Sequence, residues 1–299
     1  MAKARSRGDG SAGHRPSKLD PGLYLVATPI GNLADITLRA LAALAGADLV
    51  ACEDTRHTGR LLAAHGVAAK LVSYNDHNAP RVRPRLIAQL HAGAIVCLVS
   101  DAGTPLVSDP GYRLVTEAIA AGVPVHPVPG PSAVLAALTV SGLPTDRFYF
   151  AGYLPARAQA RRAALARIAA IDATLVLLES PRRLGALLAD AAAALGARPA
   201  AVARELTKLH EEVVRAPLDA LAGRFADRAP RGECVLVIGA PAEPAGQAVS
   251  DAEVDRLLGA ALAELPPARA AQAVAQRTGR ARRALYARAL ALRGGDAAD

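Results

Sequence analysis

Between residues 23 and 128, short apolar runs alternate with longer stretches rich in Ala and Leu, and this alternation restricts the architecture more than any other feature. The runs at 23–27, 49–52, 71–73, 95–99 and 125–128 read as strands, and the segments 37–45, 58–65, 80–92 and 111–121 between them read as helices. Strands that are apolar on both faces and joined by helices predict a mostly parallel sheet covered on both sides. Ligands of such folds bind beyond the carboxyl ends of the strands, so the segments after each strand are the first place to look for chemistry.

A second set of elements begins at Phe148. Strands are expected at 148–152, 174–178, 200–204, 212–215 and 234–238, with helices at 158–171, 182–195 and 218–226, forming a second and more mixed α/β unit. Residues 241–249, with Pro241, Pro244 and Gly246, read as a linker. Ser250 and Glu253 have capping-box spacing, Pro266-Pro267 separates the helix they open from two more, and Thr278-Gly279 reads as a tight turn. The expected division is therefore a disordered basic tail at 1–20, an α/β domain at 21–147, a second at 148–240, the linker, and a helical segment at 250–299.

Composition excludes several classes. With 52% hydrophobic and 21% charged residues the chain is not disordered, and apolar runs such as 133–140 are far shorter than a bilayer requires. Cys52, Cys97 and Cys234 form no CxxC motif and no disulfide framework, and the basic N-terminus lacks the apolar stretch of a secretory signal, so a cytoplasmic protein is expected. The net charge of +8 resides at the two ends: residues 1–20 carry five Lys or Arg against two Asp, and residues 266–299 carry seven Arg against two Asp. Such ends suit a polyanion such as RNA, although 31 Arg against 4 Lys also fits a compositional bias of the coding sequence. For the C-terminal helices, a packing appendage or dimer arm is the alternative.

Gly8, Gly10 and Gly13 match the GxGxxG spacing but have no strand before them and no apolar helix after, so they are no dinucleotide site. Phosphate-loop, HExxH and GxSxG signatures are absent, and no metal site is expected. Distinctive instead are the polar and Gly/Pro-rich segments after the strands: Thr28-Pro29-Ile30-Gly31-Asn32, Glu53-Asp54-Thr55-Arg56-His57, Ser100-Asp101-Ala102-Gly103-Thr104-Pro105 and Pro129-Gly130-Pro131-Ser132. Gly admits close backbone approach, Pro fixes loop shape and helix N-termini offer free N–H groups. Four such loops at one sheet edge indicate a shared cofactor cleft. Asp54 and Asp101 also suit the plainer roles of helix caps and Asx turns.

The segments TPIGNLADIT (28–37), CEDTRHTGRLL (52–62), VSDAGTPLVSDPG (99–111), PVPGPSA (127–133), GLPTDRF (142–148), GYLPA (152–156), ESPRR (179–183) and ARELTKLHEE (203–212) occur in order. Together they closely resemble the ribosomal RNA small subunit methyltransferase I family, within the tetrapyrrole-methylase-like class of S-adenosylmethionine enzymes. The likeness spans residues 21–240, with a looser match around 283–290. It implies two α/β domains with S-adenosylmethionine in the cleft between them and a small C-terminal helical appendage. The implied reaction is methyl transfer to the ribose 2′-hydroxyl of a cytidine in the decoding region of 16S rRNA. Cofactor contacts carry over onto Pro29, Ser100, Asp101, Ala102, Thr104, Ser132, Ala133, Glu179 and Ala203. Related methylases place an acidic residue at the end of the second strand, here Glu53 or Asp54, as a candidate general base.

Arg182 stands where the family usually has His, which suits phosphate contact better than proton transfer. RNA contacts are expected from Arg277, Arg280, Arg282, Arg283 and Arg288. The expected partner is 16S rRNA, free or in the assembled small subunit, with no membrane and with a homodimer left open. A small-molecule methylase of the same fold and a non-catalytic RNA-binding protein are the alternatives.

Overall fold

The computed structural model describes residues 19–226, 232–241 and 250–295, so nearly all of the expected N-terminal tail and linker lies outside the described residues. The chain divides into two compact units, residues 1–240 and 241–299.

The larger unit contains two five-stranded sheets. The first is built from β1 (Gly22–Val26), β2 (Leu49–Cys52), β3 (Leu71–Ser73), β4 (Ile95–Val99) and β5 (Val125–Val128), in the order β3-β2-β4-β1-β5. All of its pairings are parallel, as the apolar character of the strands predicts. Alternate residues separate onto the two faces. Tyr24, Val26, Val50 and Cys52 pack with Ala40 and Leu44 of α1 (Leu38–Gly46) and Leu61 of α2 (Thr55–Ala64). Leu23, Leu49, Val96 and Leu98 pack with Leu86 of α3 (Ala79–His91) and Leu114 of α4 (Tyr112–Ala120).

Register decides where the loops begin. Val26 lies opposite both Val99 and Val128, Val99 lies opposite Cys52, and Cys52 lies opposite Ser73, so all five strands of this sheet end in one row. The chain leaves β1 toward β2 on one side and leaves the adjacent β4 toward β5 on the other. That reversal opens a crevice at the strand ends between β1 and β4.

The second sheet runs β6 (Phe148–Tyr153), β7 (Thr174–Glu179), β10 (Cys234–Ile238), β8 (Pro199–Arg204), β9 (Glu212–Pro217). Only β6 and β7 are parallel. One face is covered by α6 (Ala158–Ile168), α7 (Pro181–Leu195) and α8 (Leu218–Arg224), through Leu165, Leu187 and Leu221. On the other face lies α5 (Ala133–Ser141), whose Val134, Ala137 and Leu138 pack against Val176, Val235 and Val237. This helix follows the first sheet in the chain but packs on the second, where Ile30 of the loop after β1 joins its cluster. Sequence periodicity missed it because AVLAALTVS is apolar nearly all round. Helix α2 begins three residues before the expected 58, because Asp54 caps it, and α6 ends at 168 rather than 171.

In the smaller unit, α9 (Asp251–Leu262), α10 (Pro267–Thr278) and α11 (Arg282–Gly295) enclose Val254, Leu258, Val274, Leu285 and Ala289. The Ser250 side chain accepts the Glu253 N–H, but the Glu253 carboxylate pairs with Arg256 instead of completing the capping box. Gly279 ends α10 at φ +66°, a conformation that glycine adopts without steric cost.

Candidate active site

Four of the loops that leave the common row of strand ends, those after β1, β2, β4 and β5, are bonded to one another. Thr28 and Gly103 exchange backbone hydrogen bonds of 2.9 and 3.0 Å across the β1/β4 crevice, and the Thr28 hydroxyl donates to the Ser100 carbonyl. The Thr104 hydroxyl donates to the Pro131 carbonyl at 3.2 Å, tying the β4 loop to the β5 loop. The Asp54 N–H donates to an Asp101 carboxylate oxygen at 3.2 Å, tying in the β2 loop. Across from them, the Asn32 N–H donates to Thr207, and a Cβ on Gly31 would fall 2.4 Å from Cγ of Lys208, so the β8–β9 loop lies directly against the β1 loop.

Between these loops and the second sheet lies a cavity of about 170 Å³. Asp101, Ala102, Gly103, Thr104, Ser132 and Ala133 line its first-sheet side, and Tyr153, Leu178, Glu233 and Val235 line the other. A smaller cavity bounded by Ala203 continues it through the shared residues Ile30, Ala133, Glu233 and Val235. Ser132 caps α5, accepting the Leu135 N–H, so a helix N-terminus opens beside the cavity. Carboxylates, backbone amides and apolar walls together suit a ligand with a cationic centre, a polar end and an aromatic group.

On its far side this cavity meets a larger one of about 520 Å³, and Ser108 and Asp109 line both. Burial and the neighbouring carboxylates of Glu53, Asp101 and Glu233 push the Asp109 carboxyl up to about 6. Glu53 lines the larger cavity, and burial followed by the charges of Asp101, Asp76 and Asp54 raises its carboxyl too. Asp54 behaves oppositely. Its carboxylate accepts the Arg56 backbone N–H at 2.8 Å and pairs with the Arg56 guanidinium, which hold it well below the usual carboxylate range.

Thus Asp101, Ala102, Thr104, Ser132, Ala133 and Ala203 line connected cavities. Pro29 and Ser100 are buried in the loop framework, where the Ser100 hydroxyl donates to the carbonyls of Ala102 and Gly103. The fully buried Glu179 side chain turns inward, accepting from the Ser180 N–H at 2.7 Å and pairing with Arg183 at 3.1 Å, and does not line the cleft. Asp109, Tyr153 and Glu233 were missed. Asp109 stands before Pro-Gly and reads locally as a turn residue, whereas Tyr153 and Glu233 reach the cleft only through the second sheet.

The five arginines of the helical unit from which RNA contacts are expected divide. Arg280 pairs with Asp251, and Arg288 pairs with Asp255 and Asp251, fastening α11 to α9. Arg277, Arg282 and Arg283 are exposed and make no ion pair among the described residues.

Comparison with known proteins agrees with this architecture. Residues 22–222 match the family model of the Tetrapyrrole (Corrin/Porphyrin) Methylases, and residues 248–293 match the RsmI C-terminal HTH domain. The ribosomal RNA small subunit methyltransferase I of Mesorhizobium japonicum is 54% identical over 92% of this chain and 93% of that protein. The Escherichia coli O157:H7 protein of the same name is 45% identical over 91% and 96%. Among solved structures, a uroporphyrin-III C-methyltransferase from Thermus thermophilus superposes with TM-score 0.54 and 26% identity over 73% of this chain and 94% of that one. A structure of the Thermus enzyme in complex with S-adenosylhomocysteine, at 25% identity, aligns over 73% and 97% with TM-score 0.51. No helix among the described residues is long and apolar enough to cross a membrane. The chain belongs to the ribosomal RNA small subunit methyltransferase I family.

Proposed function

We propose that this protein transfers the methyl group of S-adenosylmethionine to the ribose 2′-hydroxyl of a cytidine in the decoding region of 16S rRNA. The observation that carries the reading is the joining of four strand-end loops into a single trough, in a chain that also carries the family's C-terminal domain. When bound, S-adenosylmethionine supplies an electrophilic methyl on a positively charged sulfur. Asp101 and Glu233 offer carboxylates for the cationic groups, Thr104 and Ser132 offer hydroxyls, and Ile30, Val134, Leu178 and Val235 supply apolar walls. Ala203 extends those walls, Pro29 and Ser100 shape the loops, and Glu179 positions the start of α7 through Ser180 and Arg183. Fixing the methyl in line with its acceptor in a site that excludes water provides much of the acceleration.

The base is a carboxylate at this sheet edge. Asp54 suits the role poorly, because its ion pair and cap hydrogen bond stabilise the charged form; Glu53 faces the larger cavity. Phosphate contacts are assigned first to Arg277, Arg282 and Arg283, with Arg280 and Arg288 bracing the helices that present them. The reading places the enzyme in the cytoplasm with the ribosomal subunit, and light scattering checks whether it works as a homodimer. Purified protein with labelled S-adenosylmethionine and either 30S subunits or free 16S rRNA should yield one 2′-O-methylcytidine in the decoding region. Label on a base, or only on a tetrapyrrole, overturns the reading.

A further inference from the structure

The 520 Å³ cavity lies beside the cleft assigned to the methyl donor and shares with it the residues Ser108 and Asp109. Its walls are chemically distinct. The β3–α3 loop is fixed by reciprocal bonds, in which the Asn75 N–H donates to Asn78 and the Asn78 N–H to Asn75, and the Asn78 amide donates to the Ser73 carbonyl. That frame leaves Asp76 and His77 exposed at the cavity wall. On the opposite wall Tyr112 is 72% exposed, and beside it the exposed Arg113 makes no ion pair among the described residues. An exposed tyrosine face stacks on a nucleobase, an unpaired guanidinium suits a phosphate, and a carboxylate accepts from the exocyclic amine of cytosine.

The segment carrying Asp109 is held in place by its backbone. Leu106 and Ser108 adopt left-handed conformations at φ +74° and +66°, costly for residues with a Cβ. Gly152, at the bulge of β6, brings the second sheet against Ser108, since a Cβ there would lie 3.5 Å from the Ser108 hydroxyl.

Resting on the RNA-methylation reading above, we propose that this cavity receives a single ribonucleotide swung out of the RNA strand, and that Asp109 takes the proton of its 2′-hydroxyl. The hydroxyl oxygen bonds to the methyl carbon, the methyl–sulfur bond breaks with its electron pair left on sulfur, and the hydroxyl proton moves to an Asp109 carboxylate oxygen. Asp109 is the carboxylate that lines both cavities, whereas Glu53 lines only the nucleotide side and Asp101 and Glu233 only the donor side. Glu53, Asp101 and Glu233 face Asp109 with negative charge, and Asp76, His77, Arg83 and Arg113 surround the nucleotide cavity, Arg83 being paired with Glu117.

The test uses the full chain with small subunits carrying the target site. Asp109→Asn should bind S-adenosylmethionine within about threefold of wild type by calorimetry yet lose roughly 10²-fold or more in transfer, and Asp109→Glu should recover part of that loss. Wild-type transfer should fall as pH drops through about 6, where Asp109 takes up its proton. Tyr112→Ala and Arg113→Ala should each weaken RNA affinity about tenfold with unchanged S-adenosylmethionine affinity. An Asp109→Asn variant that transfers at the wild-type rate, or a wild-type rate flat from pH 5 to 8, overturns the assignment of the base. Unchanged RNA affinity in both cavity variants overturns the assignment of the pocket. If the wild-type chain labels no small-subunit RNA, the parent reading fails and this one with it; if it labels the RNA and Asp109→Asn matches it, this one alone fails.

Discussion

Three carboxylates at one sheet edge differ because of what each touches. Asp54 is held in its charged form by Arg56, Glu53 is partly withdrawn from water among other carboxylates, and Asp109 is pushed up to about 6 by burial and by Glu53. Replacing Glu53 by Gln removes a negative charge beside Asp109, so the acid limb of the transfer rate should move to lower pH while transfer persists. A pH–rate profile of that variant checks the sign. Asp109 also carries a stability cost. Its folded carboxyl titrates above its unfolded value, so its favourable contribution is full below pH 3.8 and is lost as pH rises through about 6. Asp109→Asn should therefore be more stable than wild type to urea at pH 8, with the gap closing below about pH 4. At Gly103, φ is +80° and an added Cβ would lie 3.4 Å from Ile30. Gly103→Val should thus weaken S-adenosylmethionine binding at least about tenfold, measured by calorimetry, because a branched side chain resists that backbone and blocks approach to it.

At the scale of elements, close approach carries the second sheet's outer layer. Gly185 in α7 lets that helix sit against the end of α8, where a Cβ would stand 2.6 Å from the Phe225 carbonyl oxygen. Backbone cannot swing aside as a side chain can, so Gly185→Ala should destabilise the larger unit by about 1–3 kcal/mol despite the better helix propensity of Ala. Urea unfolding measures this. Helix α5 joins the two sheets and begins at the cleft, so its Ser132 cap serves both packing and site. The buried pair of Arg161 with Asp190 at 2.6 Å ties α6 to α7.

For the whole molecule, the arginines at the C-terminal end separate into those paired between helices and those left exposed. Arg282→Ala with Arg283→Ala should weaken binding to the small subunit and reduce the dependence of log affinity on log salt by up to about 0.9 per lost phosphate contact. The unfolding temperature of the helical unit should stay nearly the same. Arg288→Ala should instead lower that temperature, because its pairing with Asp255 and Asp251 connects α11 to α9. Filter binding across a salt series, beside thermal melts, separates the two effects.

Local chemistry was enough to place the ten strands among the described residues within one or two residues, since continuous apolar runs bounded by Gly, Pro and polar residues have few other uses in a folded chain. It also brought Asp101, Thr104 and Ser132 to one edge, because a parallel sheet sends every strand end the same way. Helix α5 stayed hidden because it is apolar nearly all round, and its buried side answers to a sheet formed by residues that come later. Asp54 locks to Arg56 two residues on by a local helix cap that the sequence already suggested, whereas only the fold could turn its neighbour Glu53 toward a cavity. Asp109, written as an ordinary turn before Pro-Gly, is significant only where two cavities meet, and that meeting depends on β6 packing against a loop more than forty residues earlier in the chain. Propensity and pattern act over a few residues, whereas burial, field and cavity shape are set by atoms distant in sequence.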